Sequence, residues 1–393
     1  MPVDQRSEYK YLPWIVGGML VLFLYVFDFQ ASKNGVIDHH EIWGRDFINM
    51  WTGGKLIAAR DFGKLYDPTA FMAYQESLYG PLDRHIFSYP PVTFVLADLL
   101  ARLPYPVALL AWLGGTGALF FHAARPWWPK DGSWPILAIV TPSALLNIWE
   151  GQYGFLVGAL FLYGWRWLDT RPWAAGIAIG LLIIKPQFAV LIPLVLLLRR
   201  EWRTILSAAV TIVAMILLSI TLYGLSAWTT FFALGAGRQA LIDAGGAFFG
   251  KLSSSAATAV LAIGGGWPLA IAAQIVLAVI GLVMVFDATG RKAPTRELAL
   301  LVATCTFLVL PYGLSYDLTV VTLAAWTVMT LPNITSTDRT LAMLGFVAPQ
   351  LGIVFALLGI PVMPLMLVGL AIAQYRIAIG QHQPAQKQRR WLQ

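Results

Sequence analysis

The sequence predicts an all-α polytopic membrane protein, and three observations carry that prediction. Apolar runs of about 18 residues or more, the length a helix needs to cross a bilayer, recur along most of the 393 residues. Charged residues are 12% of the chain and hydrophobic ones 58%, about half the charge of an average soluble protein. The Lys and Arg residues gather in clusters between the apolar runs. A net charge of +7 would suit a nucleic-acid binder in a soluble chain. Here the excess base reports topology, and no nucleic-acid partner is expected. The single cysteine, Cys305, excludes an internal disulfide and a thiolate metal cluster.

The elements follow in order. Met1–Tyr11 is polar, and "LPWIVGGMLVLFLYVFDF" after it lacks a small-residue cleavage site, so 12–30 reads as a retained span. Residues 31–88 read as a first external loop, dense in charge, with Asp38, Glu41, Asp46, Asp61 and Asp67. Phe47, Met50, Trp51, Leu56 and Ile57 among polar residues predict an amphipathic helix at the interface, opened by Asp46. "DPTAFMAYQESLY" predicts a second. One or two segments fall within 89–123, which Asp98, Arg102, Pro104 and Pro106 interrupt. Further spans are predicted at 134–149, 152–168, 173–199, 204–223, 267–286, 297–311, 317–331, 340–357 and 361–379. Residues 225–266, with Arg238, Asp243, Lys251 and three serines, form a second external loop, either a substrate cover or a plain connector. The tail, 380–393, is cytoplasmic, and the chain reads as one integral membrane domain of about twelve crossings.

The basic clusters set the orientation. Arg125 with Lys130, Arg166 with Arg171, Arg199 with Arg200 and Arg203, and Arg291 with Lys292 and Arg296 all satisfy the positive-inside tendency if they are cytoplasmic. Arg171 and Arg199 then share a side, so Trp173–Leu198 enters and returns, breaking at Lys185-Pro186. Each arm of about twelve residues gives roughly 18 Å of helix, short of the ~30 Å hydrocarbon layer. A single span kinked at Pro186 is the rival reading.

No Walker loop, dinucleotide-binding glycine pattern or HExxH is present. His39-His40 with Asp38 and Glu41 reads as a solvated loop, because adjacent residues seldom converge on one ion; no metal or other cofactor is expected. What remains is polar residues at the ends of apolar spans. Asp46 either complements a helix dipole or does chemistry. Capping explains Glu150 well and Gln152 less well. Lys185, with Gln187 at the same break, lies inside an apolar stretch, where a cation is costly and calls for an anion or a carboxylate. "PYGLSYDL" adds Tyr312, Tyr316 and Asp317. In this topology Asp46, Gln152, Lys185 and Asp317 reach one non-cytoplasmic layer from four spans, more than capping predicts. A transporter or flippase is the rival class; it predicts two related halves, and no half-to-half similarity is visible.

These stretches also carry a resemblance. "RDFINMWTGGKLIAARDFGKLYDP", "FSYPPVTFVL", "WEGQYGFLVGAL", "WAAGIAIGLLIIKPQFAVLIPLVLLLRREWR" and "PYGLSYDLTVV" resemble, in order over roughly residues 40 to 320, elements of glycosyltransferase family 87, the bacterial polyprenol-phosphate-mannose-dependent mannosyltransferases. The resemblance implies a C-type (GT-C) multispan helix bundle with its active site at the outer membrane surface, covered by the first external loop. It implies inverting transfer from a polyprenyl-phosphate-linked sugar donor among the membrane lipids; the residues do not identify the acceptor, a glycolipid or glycan acceptor or a protein. Asp46 matches the position of the catalytic base. Lys185, with Arg45 or Arg238, is then a candidate for the donor phosphate. Gln152, Gln187, Tyr312, Tyr316 and Asp317 are candidates for sugar or acceptor, with Asp317 the second candidate base.

Overall fold

The computed structural model describes residues 15, 19, 32–33, 36–37, 41–82, 86–130, 133–235 and 253–380. The predicted span 12–30 (save Ile15 and Met19), His39, His40, Arg238, Asp243, Lys251 and most of the tail lie outside them. The described elements are seventeen α-helices with short 3-10 turns between them, plus one antiparallel meander of two-residue strands, β1 (Ser32–Lys33), β2 (Val36–Ile37) and β3 (Glu41–Ile42).

The helices begin with α1 (Phe47–Ala58), α2 (Phe62–Tyr66), α3 (Pro68–Tyr79), α4 (Phe94–Ala101), α5 (Tyr105–Ala123), α6 (Pro142–Glu150) and α7 (Gly154–Trp167). They continue with α8 (Pro172–Leu181), α9 (Ile192–Leu198), α10 (Trp202–Tyr223), α11 (Leu225–Ala233), α12 (Ala256–Ala262) and α13 (Trp267–Gly290). The chain closes with α14 (Thr295–Val309), α15 (Thr319–Met329), α16 (Ser336–Leu357) and α17 (Met363–Ala378). Four of them, α5, α10, α13 and α16, are long and apolar enough to cross a membrane. Their outer faces leave Leu110, Val210, Leu217, Ile275 and Val283 exposed, the surface a lipid solvent accepts. All eleven residues of α15 are buried, and α14 is buried from Leu298 to Leu308, so this pair forms the centre. A helix apolar on every face belongs there. The fold is an all-α polytopic membrane bundle.

The chain passes repeatedly between two ends. At one, the basic residues collect: Arg296 Nε donates to the Pro126 carbonyl at 2.8 Å, Trp127 Nε1 to the Arg296 carbonyl at 3.0 Å, and Arg166 to the His122 carbonyl at 2.8 Å. At the other lie the starts of α1, α5 and α7; Tyr105 donates to the Trp43 carbonyl at 2.6 Å and Trp112 to that of Gly151 at 3.1 Å. We call these the basic end and the site end.

Residues 172–201 form a hairpin. A Cβ on Gly176 would meet Thr204 and Ser207, and one on Gly180 would meet Ala208 and Thr211, so α8 and α10 run parallel. The chain between two parallel helices must therefore return. It does so as 3-10 turns on either side of Lys185 followed by α9, which brings Arg199 back to 3.9 Å from Asp169. The kinked single span is thereby replaced by a re-entrant pair, because Pro186 removes a backbone donor in mid-run.

The predicted interfacial pair 46–79 forms as helices, but α1 is enclosed: ten of its twelve residues are buried. Gly53 and Gly54 make this possible. They seat Phe87 and the Ala97 backbone of α4 where any Cβ would collide. By contrast, α3 buries only Phe71 and Gln75. In 89–123 only α5 is long enough to cross; α4 is an eight-residue helix.

Candidate functional site

The carboxylates of the 41–79 segment divide by use. Asp61 accepts from the Lys64 amide at 3.1 Å and Asp67 from the Ala70 amide at 2.8 Å, both as helix caps. Asp46 stands at the N-cap of α1 and makes no capping bond. Its carboxylate accepts from Gln152 Nε2 at 2.7 Å, and Asn49 Nδ2 lies 3.5 Å from its other oxygen. A helix-dipole role alone leaves that partner, 106 residues away, without a reason.

The turn bearing Asp46 is seated by backbone geometry. Gly151 closes α6 in the left-handed conformation, φ 63°, and a Cβ there would stand 2.6 Å from both the Gly44 carbonyl oxygen and Phe47 Cβ. Glycine alone permits both the dihedral and the approach. Gln152 follows immediately, 5% exposed, and its Oε1 accepts from the Tyr89 hydroxyl at 3.1 Å.

Lys185 occupies the break of the hairpin. Its Nζ donates to Asp317 Oδ1 at 2.9 Å, both side chains being buried. The rings of Tyr89, Tyr153, Phe188 and Tyr316 have centroids 5.6–6.0 Å from Nζ. A carboxylate and aromatic faces offset the desolvation of the ammonium. Asp317 ends a 3-10 turn between α14 and α15. Burial pushes its carboxyl above the usual range, Lys185 pulls it back, and the negative charge of Asp46 adds to the rise. Asp46 also raises the hydroxyls of Tyr312 and Tyr316, after burial, so all of these groups share one field.

The structure thus joins Asp46, Gln152, Lys185, Tyr316 and Asp317, with Tyr312 at their edge, 40% exposed. Arg45 lies beside Asp46 in the chain with its guanidinium 4.0 Å over the Trp149 ring. Gln187 is exposed on the re-entrant turn, away from the carboxylates' hydrogen bonds. Arg238 lies outside the described residues. The sequence does not single out Tyr89, whose hydroxyl donates to Gln152 at 3.1 Å and whose ring lies 6.0 Å from Lys185 Nζ, or Tyr153, 4.6 Å from it ring to ring. Their signal was the Tyr-Pro-Pro run and the aromatic next to Gln152. The second loop also reaches this end: Phe231 of α11 packs 5.4 Å from Tyr66. No group of three metal-binding side chains converges among the described residues.

No curated protein and no solved structure gives a significant match to this chain. One family description, Glycosyltransferase family 87, matches residues 87–311. That range holds Tyr89, Gln152 and Lys185; Asp46 and Asp317 lie outside it and stand on geometry. Matched over more than half its length by that description, the chain belongs to glycosyltransferase family 87 and is an integral membrane glycosyltransferase.

Proposed function

We propose that the protein moves mannose from a polyprenyl-phosphate donor to an acceptor hydroxyl at the periplasmic face of a bacterial inner membrane, with inversion and with Asp46 as base. The observation that carries this reading is a carboxylate not used as a cap, in one polar layer with a buried lysine, at the end of the bundle opposite the basic clusters. The positive-inside tendency supports an extracytoplasmic placement of that end.

The chemistry follows from the groups. Asp46 takes the acceptor hydroxyl proton as that oxygen attacks the anomeric carbon from the face opposite the phosphate. The carbon–oxygen bond to the phosphate breaks, and the phosphate leaves with the electron pair as a monoester, gaining negative charge. Lys185 meets that charge, exchanging its contact with Asp317 for one with the phosphate. Arg45 and Arg238 are the further candidates for the phosphate. Tyr312, Tyr316 and Gln187 are offered to the sugar or acceptor, and a glycolipid or glycan supplies the hydroxyl.

Transfer from radiolabelled polyprenyl-phosphate mannose to a membrane-lipid extract tests this reading in liposomes. Asp46→Asn is expected to lower the rate by about 10²–10⁴-fold, the scale of a general base, with donor binding kept. Lys185→Ala is expected to lose donor binding. Full transfer by Asp46→Asn would move the role of base to Asp317. If no polyprenyl-phosphate sugar is used by the wild type, the donor class is wrong and flipping of a lipid-linked substrate is the reading to test.

A further inference from the structure

We propose that Gln152 and Tyr89 are positioning residues for the Asp46 carboxylate, and that Gln152 does not bind the sugar. The proposal rests on Asp46 being the base. Gln152 stands between two fixed partners: Nε2 donates to Asp46 Oδ2 at 2.7 Å, and Oε1 accepts from the Tyr89 hydroxyl at 3.1 Å. The charge of the carboxylate fixes the sense of this relay. An ionised carboxylate only accepts, so the amide turns its NH₂ to Asp46 and its oxygen to Tyr89, whose hydroxyl then donates.

Tyr89 and Gln152 are both held independently of any substrate. The Tyr89 ring lies 4.6 Å from that of Tyr153 and 5.5 Å from that of Phe87, and its carbonyl accepts from Tyr66 at 2.9 Å. The Gln152 carbonyl accepts from Trp112 Nε1 at 3.3 Å. A residue built to read a sugar hydroxyl presents its polar atoms to the ligand; Gln152 is 5% exposed and engages both ends of its amide inside the protein. The consequence is a carboxylate held in one rotation, as a base needs if it is to meet a hydroxyl at a set angle. The same carboxylate is faced by Asp317, paired with Lys185, and by the hydroxyls of Tyr312 and Tyr316, with Arg45 next to it in the chain. None of these is altered by the variants below.

The test is an infrared titration of the intact protein in detergent, each form read as a difference against the same form carrying Asp46→Asn, which isolates that carboxyl. Tyr89→Phe removes one oxygen and keeps the ring; Gln152→Leu removes the amide. Each is expected to move the midpoint of Asp46 to higher pH, by about one pH unit for Gln152→Leu, because the charged form loses a donor. The double variant is expected to shift no further than Gln152→Leu alone, since Tyr89 acts through Gln152. In transfer assays with polyprenyl-phosphate mannose, glucose or arabinofuranose, kcat is expected to fall about tenfold, the scale of one hydrogen bond to a charged group, with the donor KM nearly unchanged. An unchanged midpoint, additive shifts in the double variant, or a loss confined to KM would overturn the proposal. Should Gln152→Leu not fold, Tyr89→Phe decides by itself. Retained transfer by Asp46→Asn, with the coupled midpoints still seen, would instead overturn Asp46 as the base and leave the relay standing.

Discussion

Lys185 carries its charge to a place where Nζ meets one carboxylate at 2.9 Å and four aromatic rings. Asp317→Leu leaves the Lys185 side chain buried without its carboxylate and is expected to destabilise the protein by about 3–5 kcal/mol, the usual cost of removing one member of a buried pair. Lys185→Met leaves a carboxyl that burial already pushes upward and that can neutralise itself by taking a proton, which makes its cost depend on pH. The sign of the pH dependence follows. The folded value of Asp317 lies above the ~4 of the unfolded chain, so folding takes up a proton between the two. In Lys185→Met the contribution of Asp317 to stability is therefore fully present below about pH 4 and is lost as the pH rises through the folded value, a change read as the difference from Lys185→Met/Asp317→Leu across pH. The double variant Lys185→Met/Asp317→Leu is expected to melt above Asp317→Leu. Thermal unfolding in detergent across pH checks all three. A double variant as weak as the sum of the singles, or a flat pH profile for Lys185→Met, would show that the pair is not energetically coupled.

Elements place these residues, and the α6–α7 junction does so through one glycine. Gly151→Ala combines a left-handed backbone that costs about 1–2 kcal/mol for a side chain with a collision against the turn that carries Asp46. A shift of about 1 Å there is expected to lower transfer by roughly 10²-fold. Gly114→Ala in α5 has open space around its Cβ and is expected to change neither transfer nor, beyond about 1 kcal/mol, stability. Equal effects of the two substitutions on transfer would remove the seating role of Gly151. The same junction marks what the sequence can disclose. Lys185 and Pro186 announce the hairpin locally, one by the cost of its charge and the other by its missing donor. The partner of Asp46 is not announced, because it depends on how closely two backbones approach across Gly151. The enclosure of α1 is hidden for the same reason: Gly53 and Gly54 read as gaps in an apolar face, and only α4 and Phe87 show what fills them. Tyr89 and Tyr153 are lost among 14 tyrosines and 16 tryptophans, an excess that the membrane interface explains by itself.

For the whole molecule the separation of the two ends is the feature that the basic clusters do anticipate, since charge between spans is set by insertion and not by packing. The structure brings the clusters together through contacts between distant segments, Arg296 with Pro126 and Arg199 with Asp169, 170 and 30 residues apart in sequence. It gathers Asp46, Gln152, Lys185 and Asp317 at the other end. Sidedness can be measured directly, because the single native thiol, Cys305, is fully buried and gives little background. Ser77, exposed on α3 at the site end, and Thr170, exposed beside Asp169 at the basic end, accept a cysteine with little change in size. A membrane-impermeant maleimide added to intact cells stripped of their outer membrane is expected to label Ser77→Cys and to spare Thr170→Cys until the membrane is permeabilised. The reverse pattern would put the site on the cytoplasmic face, where the sugar donor would have to be one that cytoplasmic enzymes supply directly. Labelling of both from outside would mean that the basic end is not held inside, and that the charge clusters bind the membrane surface instead of fixing its sides.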